Sequence, residues 1–251
     1  MFDLTGKVAI VAGGAGYLGS PICHRLAQRG AAVVVADVNV VGARKLADEI
    51  GGSAHPLDIG SETSIRRLVQ KTVKQHNRLD VLVNCTYYSV GKLVEELSAK
   101  EFDRAMHVNL TGSFLLAREC AGVMKPGSSI VMFSSMYGQV APDPRVYGKG
   151  MKPNPIEYGV AKAGIIQMVQ YLAVHWGPRN IRVNAVAPGP FPNSAVQKQH
   201  RGFIKRLSQK VPLGRIGQSD EIAGAVVYLA SDESSYVTGQ TIAVNGGWTA
   251  W

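Results

Sequence analysis

Short apolar runs that alternate with helical stretches constrain this chain more than any other feature. Runs such as KVAIVA at 7–12 and AVVVAD at 32–37 are apolar except for one charged residue at an end, which is typical of parallel strands whose sheet is covered on both faces. The pattern predicts one doubly wound α/β domain over 1–251, with about seven parallel strands and helices on both faces. We predict strands over 7–12, 32–37, 53–57, 80–84, 129–134, 181–186 and 241–244, and helices over 17–30, 40–50, 61–76, 98–124, 157–177 and 220–229.

A glycine-rich turn follows the first predicted strand directly. Gly13 and Gly16 permit a tight turn that brings the backbone close to a ligand, and Gly19 lets the next helix pack against the strand. The helix N-terminus, with Tyr17 and Leu18 in the turn, offers free N–H groups and a positive dipole to a pyrophosphate. Because the turn lies between a strand and a helix, it predicts a Rossmann-type dinucleotide-binding domain.

Asp37 stands at the end of the second predicted strand, 18 positions after Gly19. A carboxylate at this place can accept hydrogen bonds from an adenosine ribose and would repel a 2′-phosphate. The neighbouring Val38 and Asn39 supply no cation for such a phosphate. The sequence therefore predicts NAD, in preference to NADP, as the cofactor.

Tyr158 and Lys162 place a phenol and an ammonium four positions apart at the start of a predicted helix. Side chains at that spacing share one face of a helix. A lysine charge beside a phenol favours the phenolate, so we expect the pKa of Tyr158 to be lowered towards neutrality. A tyrosine of this kind can exchange a proton with an alcohol oxygen. The pair alone is a common pattern on helix faces, so its assignment to catalysis depends on the other motifs of the chain.

Charge and composition limit the classes of partner. The net charge is +9, but the basic residues are scattered, with at most two adjacent, and no run resembles a nucleic-acid-binding arm. We therefore expect no nucleic-acid partner, and a small anionic substrate remains one option. No apolar run is long enough to span a bilayer, and the N-terminus lacks the plan of a signal peptide.

Cysteine and histidine usage predicts neither a disulfide framework nor a metal site. Cys23, Cys85 and Cys120 are odd in number, widely spaced and without a CxxC pair. None of the six histidines has a partner at metal-ligand spacing. A reduced, cytoplasmic setting is the simplest expectation.

With these residues in view, the chain resembles the short-chain dehydrogenase/reductase family over nearly its full length. The matching motifs are VLVN at 81–84, VN at 108–109, FSSMYG at 133–138, the Tyr158–Lys162 pair, RVNAVAPG at 182–189, PLGR at 212–215, DEIA at 220–223, VTGQ at 237–240 and the glycines at 246–247. The resemblance implies a catalytic tetrad of Asn109, Ser135, Tyr158 and Lys162. In it Tyr158 exchanges the proton, Ser135 holds the substrate oxygen, Lys162 lowers the tyrosine pKa and binds the nicotinamide ribose, and Asn109 holds a water.

The resemblance also implies further contacts with the cofactor. Besides the glycine turn, Asp37, Tyr158 and Lys162, we expect contacts from Asp58, Ile59, Asn84, Cys85, Pro188, Gly189 and Phe191. A substrate-loop region is expected over about 190–215.

Three departures from the family pattern concern the two binding sites. The first two turn glycines are closer together than usual, with Tyr17 where glycine is common, and Tyr87 replaces a glycine near the nicotinamide. An insertion over 142–155 separates Ser135 from Tyr158 and is expected to form the substrate mouth, unless it is a neutral surface loop. Tyr87, Arg145 and Tyr147 are the substrate-site candidates.

The insertion and the C-terminal ending are similar to those of sugar-acid and polyol dehydrogenases of the gluconate 5-dehydrogenase kind. The resemblance thus implies an alcohol or ketone substrate, a sugar acid or polyol. The alternatives are a 3-oxoacyl carrier-protein reductase, against which Asp37 argues, and a catalytically silent NAD-sensing protein. Family resemblance also implies a homotetramer or homodimer, with Trp251 either inserted into a neighbour or frayed.

Overall fold

Seven parallel strands form one sheet in the computed structural model, which describes residues 1–250. The strands lie side by side in the order β3-β2-β1-β4-β5-β6-β7, which confirms the doubly wound fold. Their bounds are β1 Val8–Ala12, β2 Ala32–Asp37, β3 Ser53–Pro56, β4 Val81–Asn84, β5 Ser129–Phe133, β6 Arg182–Pro188 and β7 Thr241–Val244. The prediction for Trp251 lies outside the described residues.

Helices cover both faces of the sheet. Their bounds are α1 Gly19–Gln28, α2 Val40–Ile50, α3 Glu62–His76, α4 Ala99–Met106, α5 Gly112–Val123, α6 Ile156–Trp176, α7 Ser194–Gln199, α8 Arg201–Lys210 and α9 Glu221–Ala230. Side chains of a strand point alternately to the two faces. Ile10 therefore packs in one core with α3, α5 and α6, whereas Val11 packs in the other with α1, α2 and α9.

Local signals fix several helix ends. The Asn39 side chain accepts a hydrogen bond from the Gly42 amide at 3.0 Å at the start of α2, and the Ser61 hydroxyl accepts one from the Ser64 amide at the start of α3. Such side-chain caps satisfy amides that have no partner within the helix. Gly51, with φ of +66°, ends α2 in the left-handed conformation that glycine adopts without strain.

Beyond shifts of a few residues at the ends of elements, the structure differs from the sequence prediction in two places. The helix predicted over 98–124 is divided into α4 and α5 by a π-helical turn at His107–Thr111. Gly112 lies just after this turn, and a Cβ atom there would be 2.4 Å from the carbonyl oxygen of Ile59. The second difference is the pair α7 and α8, which the sequence prediction missed because these helices are mostly polar. Leu207 is the one buried residue of α8.

The strand order places a crevice at the carboxyl ends of the central strands. β1 pairs with β2 on one side and with β4 on the other, so the chain winds away from β1 in both directions. In sheets of this kind ligands bind at this switch point. None of the helices within residues 1–250 is long and apolar enough to cross a membrane.

Candidate active site

The glycine turn after β1 is packed too closely to admit side chains at two positions. A Cβ atom on Gly19 would be 2.1 Å from the Gly13 carbonyl oxygen, and one on Gly13 would be 3.1 Å from the Cys85 carbonyl carbon. Gly13 also has φ of +76°, which other residues rarely adopt. The turn therefore brings the N-terminus of α1 against the end of β4, as a pyrophosphate site requires.

A cavity of about 530 Å³ lies beside this turn. Its volume is in the range of small-molecule and cofactor sites. It brings together most of the residues that the sequence assigned to a cofactor and to catalysis: Gly13, Gly16, Tyr17, Leu18, Gly19, Cys85, Ser135, Tyr158, Lys162, Pro188, Gly189 and Phe191, with Tyr87 from the substrate candidates.

Asp37 stands behind the glycine turn, outside the lining of this cavity. Its Oδ2 accepts a hydrogen bond from the Ala15 amide at 3.0 Å, and its Oδ1 accepts one from the Asn39 amide at 2.9 Å. The Asp37 carboxylate thus holds the glycine turn in place and also puts a negative charge beside that turn. A carboxylate oxygen can accept more than one hydrogen bond, so these contacts leave room for a ribose hydroxyl.

Lys162 is buried, with 4% of its surface exposed. Its Nζ donates a hydrogen bond to the Phe133 carbonyl oxygen at 2.7 Å and lies 5.6 Å from the centre of the Tyr158 ring. Burial lowers the pKa of the Lys162 ammonium to about 8, because a charge is less stable away from water. The site therefore holds a cation that loses its proton far more easily than an exposed lysine does.

The expected lowering of the Tyr158 pKa is wrong in this structure. Burial raises the pKa of the phenol above its usual value, while a hydrogen bond with Ser135 partly opposes that rise. The charge of Lys162 does not overcome desolvation, since its ammonium is directed to the Phe133 carbonyl. At neutral pH the Tyr158 phenol is therefore protonated and ready to donate its proton.

Asn109 lies within the π-helical turn and does not line the cavity. Its side-chain amide donates to the Tyr88 carbonyl oxygen at 2.7 Å and accepts from the Tyr88 amide at 2.7 Å. Both ends of the side chain are thus engaged with the segment after β4. In this structure the side chain fixes the backbone of Tyr88, and the expectation that Asn109 holds a water stays a prediction.

Three further cofactor candidates also stand outside the cavity lining. The Asn84 amide donates to the Ser113 hydroxyl at 2.9 Å, and Asp58 accepts from the Gly60 amide at 2.9 Å. Ile59 contacts α5 through the close approach of its carbonyl to Gly112. In this structure these residues brace the loops around the crevice, and a contact with the adenosine half of a dinucleotide stays a prediction.

A second cavity, of about 560 Å³, opens from the first. Tyr87, Ser135 and Tyr158 line both cavities, so the proton-donating groups stand where the two meet. The insertion contributes much of the second cavity through Tyr147 and the segment 151–155. This arrangement supports the expectation that the insertion lies at the substrate mouth.

Arg145 is the substrate candidate that the structure places elsewhere. Its guanidinium is paired with the Asp143 carboxylate at 2.8 Å, and 87% of its side chain is exposed. Lys210 contacts the same carboxylate, and the two cations hold the pKa of Asp143 well below its usual range. Because Arg145 does not line either cavity, its assignment to the substrate site is wrong.

Several residues of the site escaped the sequence analysis. Asn154 lines both cavities, and Tyr137 lines the second, where its hydroxyl lies 3.0 Å from the Tyr147 hydroxyl. Glu157, directly before Tyr158, is fully buried and its Oε1 accepts from the Val90 amide at 2.9 Å. The sequence shows only a charged residue directly before Tyr158, and the burial of Glu157 became apparent in the structure alone.

No group of three or more His, Cys, Asp or Glu side chains within residues 1–250 is arranged to hold a metal ion. The polar groups of the site are a phenol, hydroxyls, an amide and an ammonium. These are groups that bind, orient and transfer protons.

Known proteins resemble this chain over almost its whole length. The model of a family described as enoyl-(acyl carrier protein) reductase, adh_short_C2, matches residues 13–249. The 3-oxoacyl-(acyl-carrier-protein) reductase FabG of Thermotoga maritima is 35% identical over 251 residues, covering 97% of this chain and 98% of the relative. The NAD-dependent glycerol dehydrogenase of Listeria innocua is 31% identical over 254 residues, covering 99% and 96%. The crystal structure of gox2181 superposes with a TM-score of 0.90 at 28% identity, covering 100% and 98%.

Proposed function

Since the chain belongs to the short-chain dehydrogenase/reductase family, whose members are oxidoreductases of CH–OH or keto groups, we propose that it interconverts a secondary alcohol and a ketone with NAD, on a small polyol or sugar acid. One observation carries the proposal. Ser135 and Tyr158 stand at the junction of a cavity bordered by the glycine turn and a second cavity bordered by the insertion. A dinucleotide and an alcohol would meet at these two side chains.

The residues present fit a nicotinamide dinucleotide. A Cβ atom on Gly19 would clash with the Gly13 carbonyl oxygen, so the tight turn needs glycine at this position. The turn and the N-terminus of α1 border the first cavity, at a place suited to a pyrophosphate. Asp37 favours NAD because its carboxylate accepts hydrogen bonds from ribose hydroxyls and repels a 2′-phosphate. The NAD-dependent glycerol dehydrogenase among the relatives supports the same choice.

The chain's own groups would position the substrate and move a proton. Bound nicotinamide supplies the hydride acceptor or donor. Tyr158, protonated at neutral pH, donates its proton to a carbonyl oxygen, or removes the hydroxyl proton of an alcohol once it is ionised. Ser135 donates to the same oxygen and stabilises the charge that develops on it. We assign Lys162 to the nicotinamide ribose, and Asn109 to positioning the segment after β4.

The charges around the second cavity favour a polyol over a sugar acid. Lys152 lines this cavity, but its Nζ is paired with Glu96 at 2.6 Å. Arg145 and Lys210 are both paired with Asp143. A substrate carboxylate would have to compete with these partners, whereas a neutral polyol would not. The glycerol dehydrogenase relative also acts on a polyol, as its name states.

A second candidate function is the reduction of a 3-oxoacyl carrier-protein substrate. The identity of 35% to a FabG protein favours it, and the net charge of +9 would suit an acidic protein partner. The position of Asp37 behind the glycine turn argues against a 2′-phosphorylated cofactor.

NAD⁺ and NADP⁺ reduction by the purified protein, followed by absorbance, would test the proposal. The panel contains glycerol and other polyols, gluconate, simple secondary alcohols and, in the reverse direction, a 3-oxoacyl thioester. We expect turnover of polyols with NAD⁺. Turnover of the thioester alone, with NADPH, would replace the proposal with the second candidate.

Asp37→Asn is the matched variant for the cofactor. It keeps one side-chain oxygen as a hydrogen-bond acceptor but removes the charge. We expect the KM for NADP⁺ to fall relative to that for NAD⁺, because the repulsion is gone. An unchanged ratio of the two KM values would show that Asp37 does not select the cofactor.

We also propose that the chain forms a homotetramer or a homodimer. An apolar groove of about 360 Å³ lies between α5 and α6, lined by Phe114, Met168 and Tyr171 among others. Tyr171 is 68% exposed and Val174 is 81% exposed. Sedimentation of the wild-type protein and of Tyr171→Asp should show an oligomer that the charge disrupts. A monomeric wild-type protein would refute this.

A further inference from the structure

Asn154 carries a polar atom that the protein itself does not satisfy. Its Oδ1 is buried and has no hydrogen-bond partner within residues 1–250, although Asn154 borders both cavities. Buried polar atoms in native proteins nearly always have a partner, since leaving one unpaired is costly. On the premise of the proposed function, we propose that Asn154 determines specificity by accepting a hydrogen bond from a substrate hydroxyl on the carbon next to the reacting carbon.

Two features hold Asn154 in place. Its backbone amide donates to the Tyr147 hydroxyl at 3.1 Å, and it stands between Pro153 and Pro155. The residue before a proline is restricted to extended conformations. The amide is therefore presented by a segment with little conformational freedom, as a residue that selects a substrate needs to be.

Tyr147 acts on the substrate through Asn154 in this arrangement. Its hydroxyl accepts from the Asn154 backbone and lies 3.0 Å from the Tyr137 hydroxyl, while its ring stacks on Phe203 with 5.4 Å between ring centres. Burial raises the pKa of Tyr137, so the Tyr137 hydroxyl stays protonated at ordinary pH. Tyr147 is thus a positioning residue for Asn154.

The chemistry of the unpaired Asn154 Oδ1 limits the class of substrate. A carbonyl oxygen only accepts hydrogen bonds, so its partner must carry an O–H or N–H. Tyr158 and Ser135, which border the same two cavities, are committed to the oxygen of the reacting carbon. The next hydroxyl of a vicinal diol can supply the missing donor. A ketone with a plain methylene next to the reacting carbon, as in a 3-oxoacyl thioester, has no hydroxyl there and cannot supply this donor.

A pair of alcohols that differ in one hydroxyl tests this directly. 2,3-Butanediol and 2-butanol would be oxidised with NAD⁺ by the wild-type protein, and kcat/KM would be compared. We expect the diol to be preferred by roughly 10- to 100-fold, the range of one hydrogen bond to an otherwise unpaired buried group. Equal values for the two alcohols would overturn the role of Asn154 and leave the dehydrogenase function intact.

Three variants separate recognition from structure. Asn154→Ala should lower the diol to mono-alcohol ratio at least tenfold, whereas Asn154→Asp retains an acceptor oxygen and should retain most of the preference. Tyr147→Phe should lower the same ratio mainly through the KM of the diol. If Asn154→Ala lowered kcat/KM by the same factor for both alcohols, Asn154 would have a structural role only, and the proposal would be refuted.

Binding gives a readout that does not depend on turnover. NADH fluorescence in the protein–NADH complex would be titrated with each alcohol, with thermal unfolding of each variant as a check on folding. Tighter binding of the diol in the wild type and in Asn154→Asp, lost in Asn154→Ala, would support the proposal. Should Asn154→Ala fail to fold, Asn154→Ser takes its place. Turnover of a 3-oxoacyl thioester with no binding of either alcohol would overturn the polyol function and this inference together.

Discussion

The contribution of Lys162 to the stability of this protein is expected to rise with pH. Burial lowers the pKa of its ammonium from 10.5 to about 8. Below pH 8 the lysine is protonated in both states, so the folded state bears the full cost of the buried charge. Between pH 8 and 10.5 the unfolded chain binds at Lys162 a proton that the folded chain lacks, so the contribution of Lys162 to the free energy of unfolding increases with pH. At about 1.4 kcal/mol per pH unit, the increase is about 3 kcal/mol.

Urea unfolding of the wild type and of Lys162→Met at pH 7, 8, 9 and 10 measures this increase. The substitution also leaves the Phe133 carbonyl without its donor, which costs about 1–3 kcal/mol at every pH. The absolute difference at pH 7 is therefore not diagnostic, but its change with pH is. We expect the wild type to gain about 2.5 kcal/mol over the variant between pH 7 and pH 10. Lys45→Met removes an exposed lysine and controls for the loss of one charge. A difference that is constant with pH would refute the reasoning.

Three further substitutions test the site. Tyr158→Phe should nearly abolish turnover and leave NADH affinity largely intact, since only the proton-carrying hydroxyl is removed; activity within threefold of wild type would exclude the assignment. Glu157→Ala should lower the free energy of unfolding by about 1–3 kcal/mol and raise the substrate KM, because the Glu157 Oε1 accepts from the segment 89–91. In urea unfolding and kinetic assays Glu157→Gln, which keeps an acceptor, should do less. Gly19→Ala should abolish NADH binding in a fluorescence titration because its Cβ would be 2.1 Å from the Gly13 carbonyl; Gly177→Ala, where nothing lies within 4 Å, is the control.

The sheet could be read from the sequence because each of its central strands is a continuous apolar run. β2, β7 and α2 have the predicted bounds, and the other predicted elements, apart from the divided helix over 98–124, differ from the observed ones by a few residues at their ends. Strands buried on both faces leave a signal that does not depend on tertiary contacts. The π-helical turn at His107–Thr111 left no such signal, since the residues on either side are helical and the periodicity hardly changes.

The candidate site was predictable where its chemistry lies in local spacing. Tyr158 and Lys162 meet the cavity because they share a helix face, and the glycine turn does so because it ends β1. Spacing could not indicate that the Asn109 amide is engaged by Tyr88, nor that burial outweighs the lysine charge at Tyr158. Those outcomes depend on which distant groups approach and how much water they exclude.

The wall of the second cavity belongs to a small hydrophobic cluster separate from the two cores of the sheet. Met136, Val146, Leu207, Val211 and Trp248 are buried together there. These residues come from segments far apart in the chain, so no local sequence pattern predicts their contact. The ion pair between Asp143 and Lys210 joins the insertion to α8 in the same region. Val146 brings the insertion into this cluster, and neither the glycine turn nor Lys162 belongs to it. We therefore expect changes in the sequence of the insertion to have little effect on the glycine turn or Lys162. Substrate choice is therefore expected to change independently of cofactor choice. Exchanging 142–155 for the corresponding segment of a relative should alter the preferred alcohol. NADH affinity, measured by fluorescence titration, should stay within a few-fold of the wild-type value. A comparable loss of NADH affinity would contradict this separation.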